Sequence, residues 1–364
     1  MAAWRAGRPS FFKRVMHTCA LGCGMSRVSI KDIAREAEVS HSTVSRALSG
    51  SPLVSDQTKT QIQRLARDMG YSPDAQARSL VVGRTQTIGV VVTTITDPFI
   101  AEVVQGIEST ALDRGYSVIL SSSSSESERE LAAVEMLGSK RVDGVVVTSS
   151  RVGDLYHRHL DRLGVPVVLI NSRSREKASY TYSVMVDNRQ GGSLAAEHLI
   201  KLGHRRLAYV AGPPNHSDDV ERLAGFRQAL AGEGRVFDES SVVPGTGSLR
   251  GGERALPALL ALQTHPTAVF CYNDLTAIGL MRAARQAGLS VPRDLSVVGF
   301  DDIPFSSYVY PSLTTIAQPM AEMGREATEM LLSLSMNGTQ RDGLVTDLVV
   351  CGRLIARESS GPAY

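Results

Sequence analysis

From Thr87 to Phe300 the chain alternates short apolar runs with amphipathic stretches, and this texture narrows the possible folds most. Ile88 to Val92 reads as a buried strand, Pro98 to Arg114 as a helix closed by Gly115, Ser117 to Leu120 as a strand, and Glu126 to Ser139 as a helix. Gly144 to Val147 and Val165 to Ile170 read as strands flanking a helix near Leu155 to Leu163. After Asp187 the pattern resumes. Helices are predicted over Arg189 to Leu202, Val220 to Ala231 and Leu275 to Ala287, with strands at Leu207 to Val210, Ala268 to Tyr272 and Leu295 to Phe300. A strand that is apolar throughout is buried on both faces, so alternating βαβ units imply parallel sheets with helices on each side. Two such runs, each about 100 residues, predict two similar doubly wound subdomains with a cleft between them.

Ligands of such sheets sit beyond the carboxyl ends of the strands. The residues so placed are Thr93, Asp97 and Phe99 after the first strand, Ser121 to Ser124 after the second, and Asn171 and Arg173 after the fourth. Arg222, Asn273, Asp274, Asp301 and Gln318 complete the set. Asp, Asn and Arg beside an aromatic face suit a hydroxyl-rich small molecule, because the polar groups make paired bonds while a ring covers an apolar sugar face. For each residue the alternative is a helix cap or a solvated loop, and Asp97, just before Pro98, is equally well placed to cap.

The stretch Ser29 to Leu48 has a different texture. Ser29 with Asp32 three residues on is a capping-box start, and Ile30, Ile33, Ala34 and Ala37 share one helical face. Val39 is apolar inside a turn. Ser40 can cap a second helix whose Val44, Ala47 and Leu48 face inward, leaving His41, Ser42, Ser45, Arg46 and Ser49 outward. A compact helix with small polar side chains and one Arg suits a DNA major groove; an ordinary helical hairpin is the alternative. A third helix is predicted from Ser55 to Met69, closed by Gly70. Then Ser72, Pro73 and Gly83 bracket Asp74 to Val82, which reads as two turns of helix or as a plain linker. So short a helix is marginal unless packed, a property that suits a switchable joint.

Charge supports this division. Residues 1–86 carry 13 Lys/Arg against 6 Asp/Glu, and the remainder 26 against 31. A basic head on an acidic body points to a polyanionic partner for the head. The four cysteines, Cys19, Cys23, Cys271 and Cys351, make no disulfide framework in 364 residues. Cys19 and Cys23 have no second pair to complete a metal site, and Cys271 in its apolar strand reads as a small hydrophobe. No metal or cofactor is expected. No apolar run reaches the roughly 18 residues of a membrane span, and Lys13-Arg14 interrupts any candidate signal segment, so a cytoplasmic protein is expected, with nucleoid association through DNA binding by the head. Residues 1–25 read as a disordered extension, with Met25 the natural start.

Several motifs in order give a resemblance. Ile30 to Ala37 followed by Val39-Ser40, Thr43 to Leu48, Gly70-Tyr71, Ala77-Arg78-Ser79-Leu80, Arg141 to Gly144, Gly203-His204-Arg205, Arg222 to Phe226, Val298 to Asp302 and Leu313 to Ile316 resemble the LacI/GalR family of bacterial repressors over residues 26–357. The chain is most similar to the purine- and sugar-repressor branch. The resemblance implies an all-α helix-turn-helix head on an α/β core of periplasmic-binding-protein type. It places the DNA-binding head at 26–73, the hinge helix and linker at 74–86, the effector and dimerisation core at 87–357 and a tail at 358–364. The core divides into 87–188 plus 318–343, and 189–317 plus 344–357.

It further implies a homodimer on double-stranded palindromic operator DNA, controlled by a small effector, a sugar or related polar metabolite. DNA contacts carried over by position fall on Ser29, Ile30, Ser40, His41, Ser42, Thr43, Ser45 and Arg46. In the hinge helix they fall on Ala77 and Leu80, Leu80 being the apolar wedge that unstacks a base step. Effector contacts carried over are Phe99, Asn171, Arg222, Asn273 and Asp301. Asp74 stands where the family usually has Asn, and Gly247 stands where an aromatic usually covers the ligand, which implies a more open pocket. No leucine heptads follow the last strand, so the tetramer tail of the lactose repressor is not expected. Two other functions fit less of the chain. A solute receptor would account for the core alone, and a dinucleotide enzyme fails where Arg250 replaces the third glycine after Gly245 and Gly247.

Overall fold

The structure, a computed structural model, describes residues 28–71, 83–149, 165–172, 181–214, 216–337 and 347–363. It divides into two compact units, residues 1–82 and 83–364. The expected extension at 1–25, the helices near Asp74 to Val82 and Leu155 to Leu163, and Cys19, Cys23, Ala77, Leu80 and Arg173 lie outside the described residues.

Among the described residues the first unit holds three helices, α1 (Ile30–Glu36), α2 (His41–Leu48) and α3 (Asp56–Asp68). Asp32 anchors the start of α1 by accepting from the backbone N–H of Ser29 at 3.0 Å and from its hydroxyl at 2.6 Å. Ser40 caps α2 by accepting from the Thr43 N–H at 3.1 Å, and Ser55 caps α3 through Thr58 at 3.3 Å. Ile33, Ala34, Val44, Ala47, Val54, Ile62 and Ala66 form the small core, with Val39 and Leu48 packed against it.

The second unit contains two six-stranded sheets. The first comprises β1 (Thr87–Val92), β2 (Ser117–Ser122), β3 (Gly144–Thr148), β4 (Val167–Ile170), β5 (Thr181–Val186) and a late strand, here β11 (Asp347–Val350), in the order β11-β5-β4-β3-β1-β2. Helix α4 (Pro98–Asp113) follows β1 and α5 (Ser127–Ser139) follows β2. In the second sheet are β6 (Leu207–Val210), β7 (Val242–Val243), β8 (Ala268–Cys271), β9 (Ser296–Asp301), β10 (Thr314–Ala317) and β12 (Arg353–Ile355), ordered β12-β10-β9-β8-β6-β7. Its helices are α6 (Asn188–Lys201), α7 (Ser217–Gly232), α8 (Leu249–Leu260) and α9 (Asp274–Gln286), and α10 (Met320–Asn337) returns to the first sheet. All pairings are parallel except β10 with β12.

Alternate residues of each strand enter separate cores, as doubly covered sheets require. Val90, Val146 and Val168 pack under α4 and α10, whereas Val91, Val145 and Val167 pack under α5. Likewise Tyr209, Phe270 and Phe300 face α6 and α7, while Val210, Val269 and Val297 face α8 and α9. Cys271 is fully buried among the second set, as a small hydrophobe.

The chain passes between the sheets after Val186, after Ala317 and after Val350. The third passage corrects a boundary expected from the sequence, which assigned 344–357 to the second subdomain. Asp347 to Val350 instead pair with Ser183 to Val186 in the first sheet. Leu348-Val349-Val350 is equally suited to either sheet, and only the distant partner strand decides.

One close approach positions the ligand cleft. A Cβ on Gly192 of α6 would lie 2.0 Å from the Arg222 carbonyl oxygen, and one on Gly225 of α7 would lie 1.8 Å from that of Arg189. These glycines let the two helix backbones touch, which fixes where Arg222 projects.

Candidate functional site

On the head, α2 presents one continuous outer face. His41, Ser42, Ser45, Arg46 and Ser49 are exposed, while Val44 and Ala47 are buried beneath them. Ser40 and Thr43 are tied up in the cap, their hydroxyls 2.8 Å apart. Ser29 is exposed at the start of α1, and Ile30 is half-buried against the core. Among the described residues Arg46 makes no ion pair. This face offers hydroxyls, an imidazole and one guanidinium, a donor-rich set at the scale of base edges and phosphates.

In the core, a cavity of about 240 Å³ lies at the carboxyl ends of both sheets. From the first sheet come Thr93 after β1, Asp97 and Phe99 at the start of α4, and Asn171 after β4. Arg222 of α7, Asn273 before α9, Asp301 at the end of β9, and Gln318 after β10 come from the second. The sequence places all eight of these residues in the cleft, and all five carried-over effector contacts are among them.

Arg222 is the centre of the arrangement, with 2% of its surface exposed. Its Nε donates to Asn188 Oδ1 at 2.8 Å and its Nη1 to the Tyr272 carbonyl at 2.6 Å. The guanidinium carbon sits 3.7 Å from the Phe300 ring centre and 4.8 Å from that of Tyr272. Asp301 Oδ1 approaches Nη1 at 3.9 Å, and Asn188 in turn donates to Asp218 Oδ1 at 3.3 Å. A buried charge held by rings and acceptors in this way keeps one orientation.

A second chain of bonds crosses between the sheets. Asn171 Nδ2 donates to Gln318 Oε1 at 3.4 Å, and Gln318 Nε2 donates to Asp301 Oδ1 at 2.6 Å. Asn171 has φ 51° and Asp301 φ 120°, both in the left-handed region that non-glycine residues rarely occupy. Backbone strain of this kind collects where a side chain must be aimed. Burial pushes the Asp301 carboxyl well above the usual range, and burial raises Asp97 and Asp218 as well.

Several expectations are refined. Asp97 both caps and lines, accepting from the Phe99 N–H at 3.0 Å. Asn273 also caps, accepting from the Thr276 N–H at 3.0 Å while donating to the Gly247 carbonyl at 3.0 Å. Two assignments are corrected. Ser121 to Ser124 do not line the cavity, whereas Ser125 does. Ser123 is buried, donating to the Val92 carbonyl at 3.2 Å. Asp274 is fully buried away from the cavity and accepts from Ile303 N at 2.9 Å, Ser306 Oγ at 2.6 Å and Thr315 Oγ1. It fastens the loop after β9 to β10, because a helix-start carboxylate in a dry site must collect several donors.

His216, Asp218, Thr246 and Tyr272 line the cavity without having been singled out from sequence. Asp218 and Arg222 are four apart at the start of α7, a spacing that puts them on one helix face. Tyr272 was hidden at the end of a strand. Its ring stands beside Gly247. A Cβ there would lie 3.2 Å from Tyr272 Cε1, so the ring takes up the space beside that glycine.

Comparison with known proteins covers both units. Residues 29–74 match the family described as bacterial regulatory proteins, lacI family, and residues 196–360 match the periplasmic binding protein-like domain. The HTH-type transcriptional repressor CytR of Escherichia coli (strain K12) is 36% identical over 332 residues, covering 91% of this chain and 96% of the relative. The lac repressor dimer bound to operator and the anti-inducer ONPF is similar at TM-score 0.82 and 28% identity, over 92% of this chain and all of that one. A LacI family transcriptional regulator from Enterococcus faecium with bound ribose is similar at TM-score 0.68 and 30% identity, over 76% of this chain and all of that one.

Proposed function

This chain belongs to the LacI family of bacterial regulatory proteins, and we propose that it is a transcriptional repressor that binds a palindromic operator as a homodimer and answers to a sugar or related polar metabolite in its cleft. The observation that carries the reading is the outer face of α2, a capped helix whose inner face is apolar and whose exposed side chains are small, polar and basic. Such a helix gains nothing from its outer face in isolation but fits a major groove. His41 and Ser42 set operator preference, Arg46 reads a base edge or phosphate, and Ser29 and Ser45 hold the backbone. Ser40 and Thr43 act through the cap. The family resemblance assigns minor-groove contacts to Ala77 and Leu80, which lie outside the described residues. The protein works in the cytoplasm, on the nucleoid.

The cleft supplies the control. Asn171, Gln318 and Asp301 link the carboxyl edges of the two sheets, so a ligand bonded to residues of both sides competes with this chain of bonds. Occupancy then favours one angle between the subdomains over another. A ligand shifts such an equilibrium only by its difference in affinity for the two states, and a coupling of about 1–3 kcal/mol suffices for a regulatory response. Proteins similar to this chain include a repressor described with an anti-inducer and a transcriptional regulator described with bound ribose, which supports a hydroxylated ligand.

Selection from a random duplex library with the purified full chain tests the DNA half. Enrichment of a palindrome is the expected result. Recovery of unrelated sequences with equal affinity would overturn the reading.

A further inference from the structure

The cavity contains an aromatic side chain in a place made for it. Tyr272 lies at the carboxyl end of β8 and is nearly buried. A Cβ on Gly212 would come within 2.6–2.8 Å of three ring atoms, and one on Gly247 would come within 3.2 Å. Two glycines therefore clear the volume that the ring occupies. The phenol meets His216 Nδ1 at 3.4 Å, and His216 in turn lies 3.9 Å from Asp218 Oδ2. The Tyr272 carbonyl holds Arg222, so ring and guanidinium are placed by the same residue.

The charges of the lining are unequal. Asp97, Asp218 and Asp301 face it, against Arg222 and His216, and Arg222 is already bonded to Asn188 and Tyr272. An entering phosphate or carboxylate would bring a further negative charge into a site whose burial already disfavours the charged form of all three acids, and would find Arg222 already bonded through Nε and Nη1. Hydroxyls have no such penalty, since each can donate to a carboxylate and accept from an N–H.

Resting on the effector reading above, we propose that Tyr272 is the specificity-determining side chain of the cleft. With Phe99 it supplies an aromatic wall from each sheet, and with the acidic lining it selects an uncharged, ring-shaped, hydroxylated ligand over its phosphorylated form. Gly247 is the counterpart of this choice, because a larger residue there would displace the ring.

Calorimetric titration of the full chain tests this with D-ribose, D-glucose, cellobiose, adenosine and cytidine, each paired with its phosphate ester. At least one uncharged compound binds, and its ester binds about tenfold more weakly or worse. In Y272F that affinity stays within about threefold, whereas Y272A and Y272L lose about tenfold. Leucine keeps the bulk without the π-face, so it separates stacking from filling, and the thermal melt of each unliganded variant reports folding. An ester that binds as tightly as its parent, no binding by any uncharged compound, or full affinity in Y272L overturns the proposal. Operator binding is read in parallel. Its absence in the wild type would sink the repressor reading while the affinity ratios still decide the role of Tyr272.

Discussion

The outward face of α2 and the cleft of the core are assembled by opposite means. His41, Ser42, Ser45 and Arg46 lie within six positions of one another on a helix that a single serine caps. The cleft joins Asn171 to Gln318 across 147 positions and Arg222 to Tyr272 across 50. The face of α2 leaves its polar groups in water and orients them through the helix alone. In the cleft Asn171, Arg222, Asp301 and Gln318 are buried, and they are held by one another and by their neighbours. Removing one side chain should therefore subtract a contact on the head but unsettle a network in the core.

The largest effect should follow Arg222→Ala. It leaves Asp218 and Asp301 without their shared cation in a dry site, and removing one partner of a buried pair costs about 3–5 kcal/mol. Denaturant unfolding of the core should show that loss, together with an abolished ligand response. A change below about 1 kcal/mol would mean that the cleft is no more interdependent than the head. Next in size, Arg46→Ala should weaken operator binding by about 1–3 kcal/mol if the guanidinium pairs with a base edge. Its unfolding midpoint should not move, and gel shifts of unaltered affinity would remove Arg46 from the interface. Smallest is Ser40→Ala, which removes the α2 cap and should cost about 1 kcal/mol of head stability. Thermal melting of the head followed by circular dichroism would detect it, and an unchanged melt would show that the Thr43 N–H finds another acceptor.

The same contrast explains what the sequence disclosed. Caps, turns and helical faces of the head are local, so Ser29, Ser40, Val39 and Val44 announce their roles within a few residues. Apolar runs announced β1, β3, β6 and β9 for the same reason. Helix α8 was not identified, because Gly251, Gly252 and Pro257 make a poor isolated helix. Packing forms it, since a Cβ on Gly252 would lie 2.0 Å from the Thr276 carbonyl oxygen on α9. The sheet that receives Asp347 to Val350 was equally invisible, being decided by a partner strand far away in sequence. Asp274 shows the limit for single residues. Its position after β8 suits a ligand contact, but three donors from Ile303, Ser306 and Thr315 claim it. Tyr272 is the converse, a strand residue by pattern that lines the cavity, its ring fitted where Gly212 and Gly247 make room.

The two regions are joined in function by the proposal that occupancy of the cleft alters the grip of α2 on DNA. Fluorescence anisotropy of a labelled operator duplex, titrated with the full chain in the presence and absence of a saturating cleft ligand, tests this most directly. A dissociation constant that shifts by about tenfold or more in wild type, and not in Arg222→Ala, is the predicted result. Identical titrations with and without a ligand that calorimetry shows to be bound would contradict it.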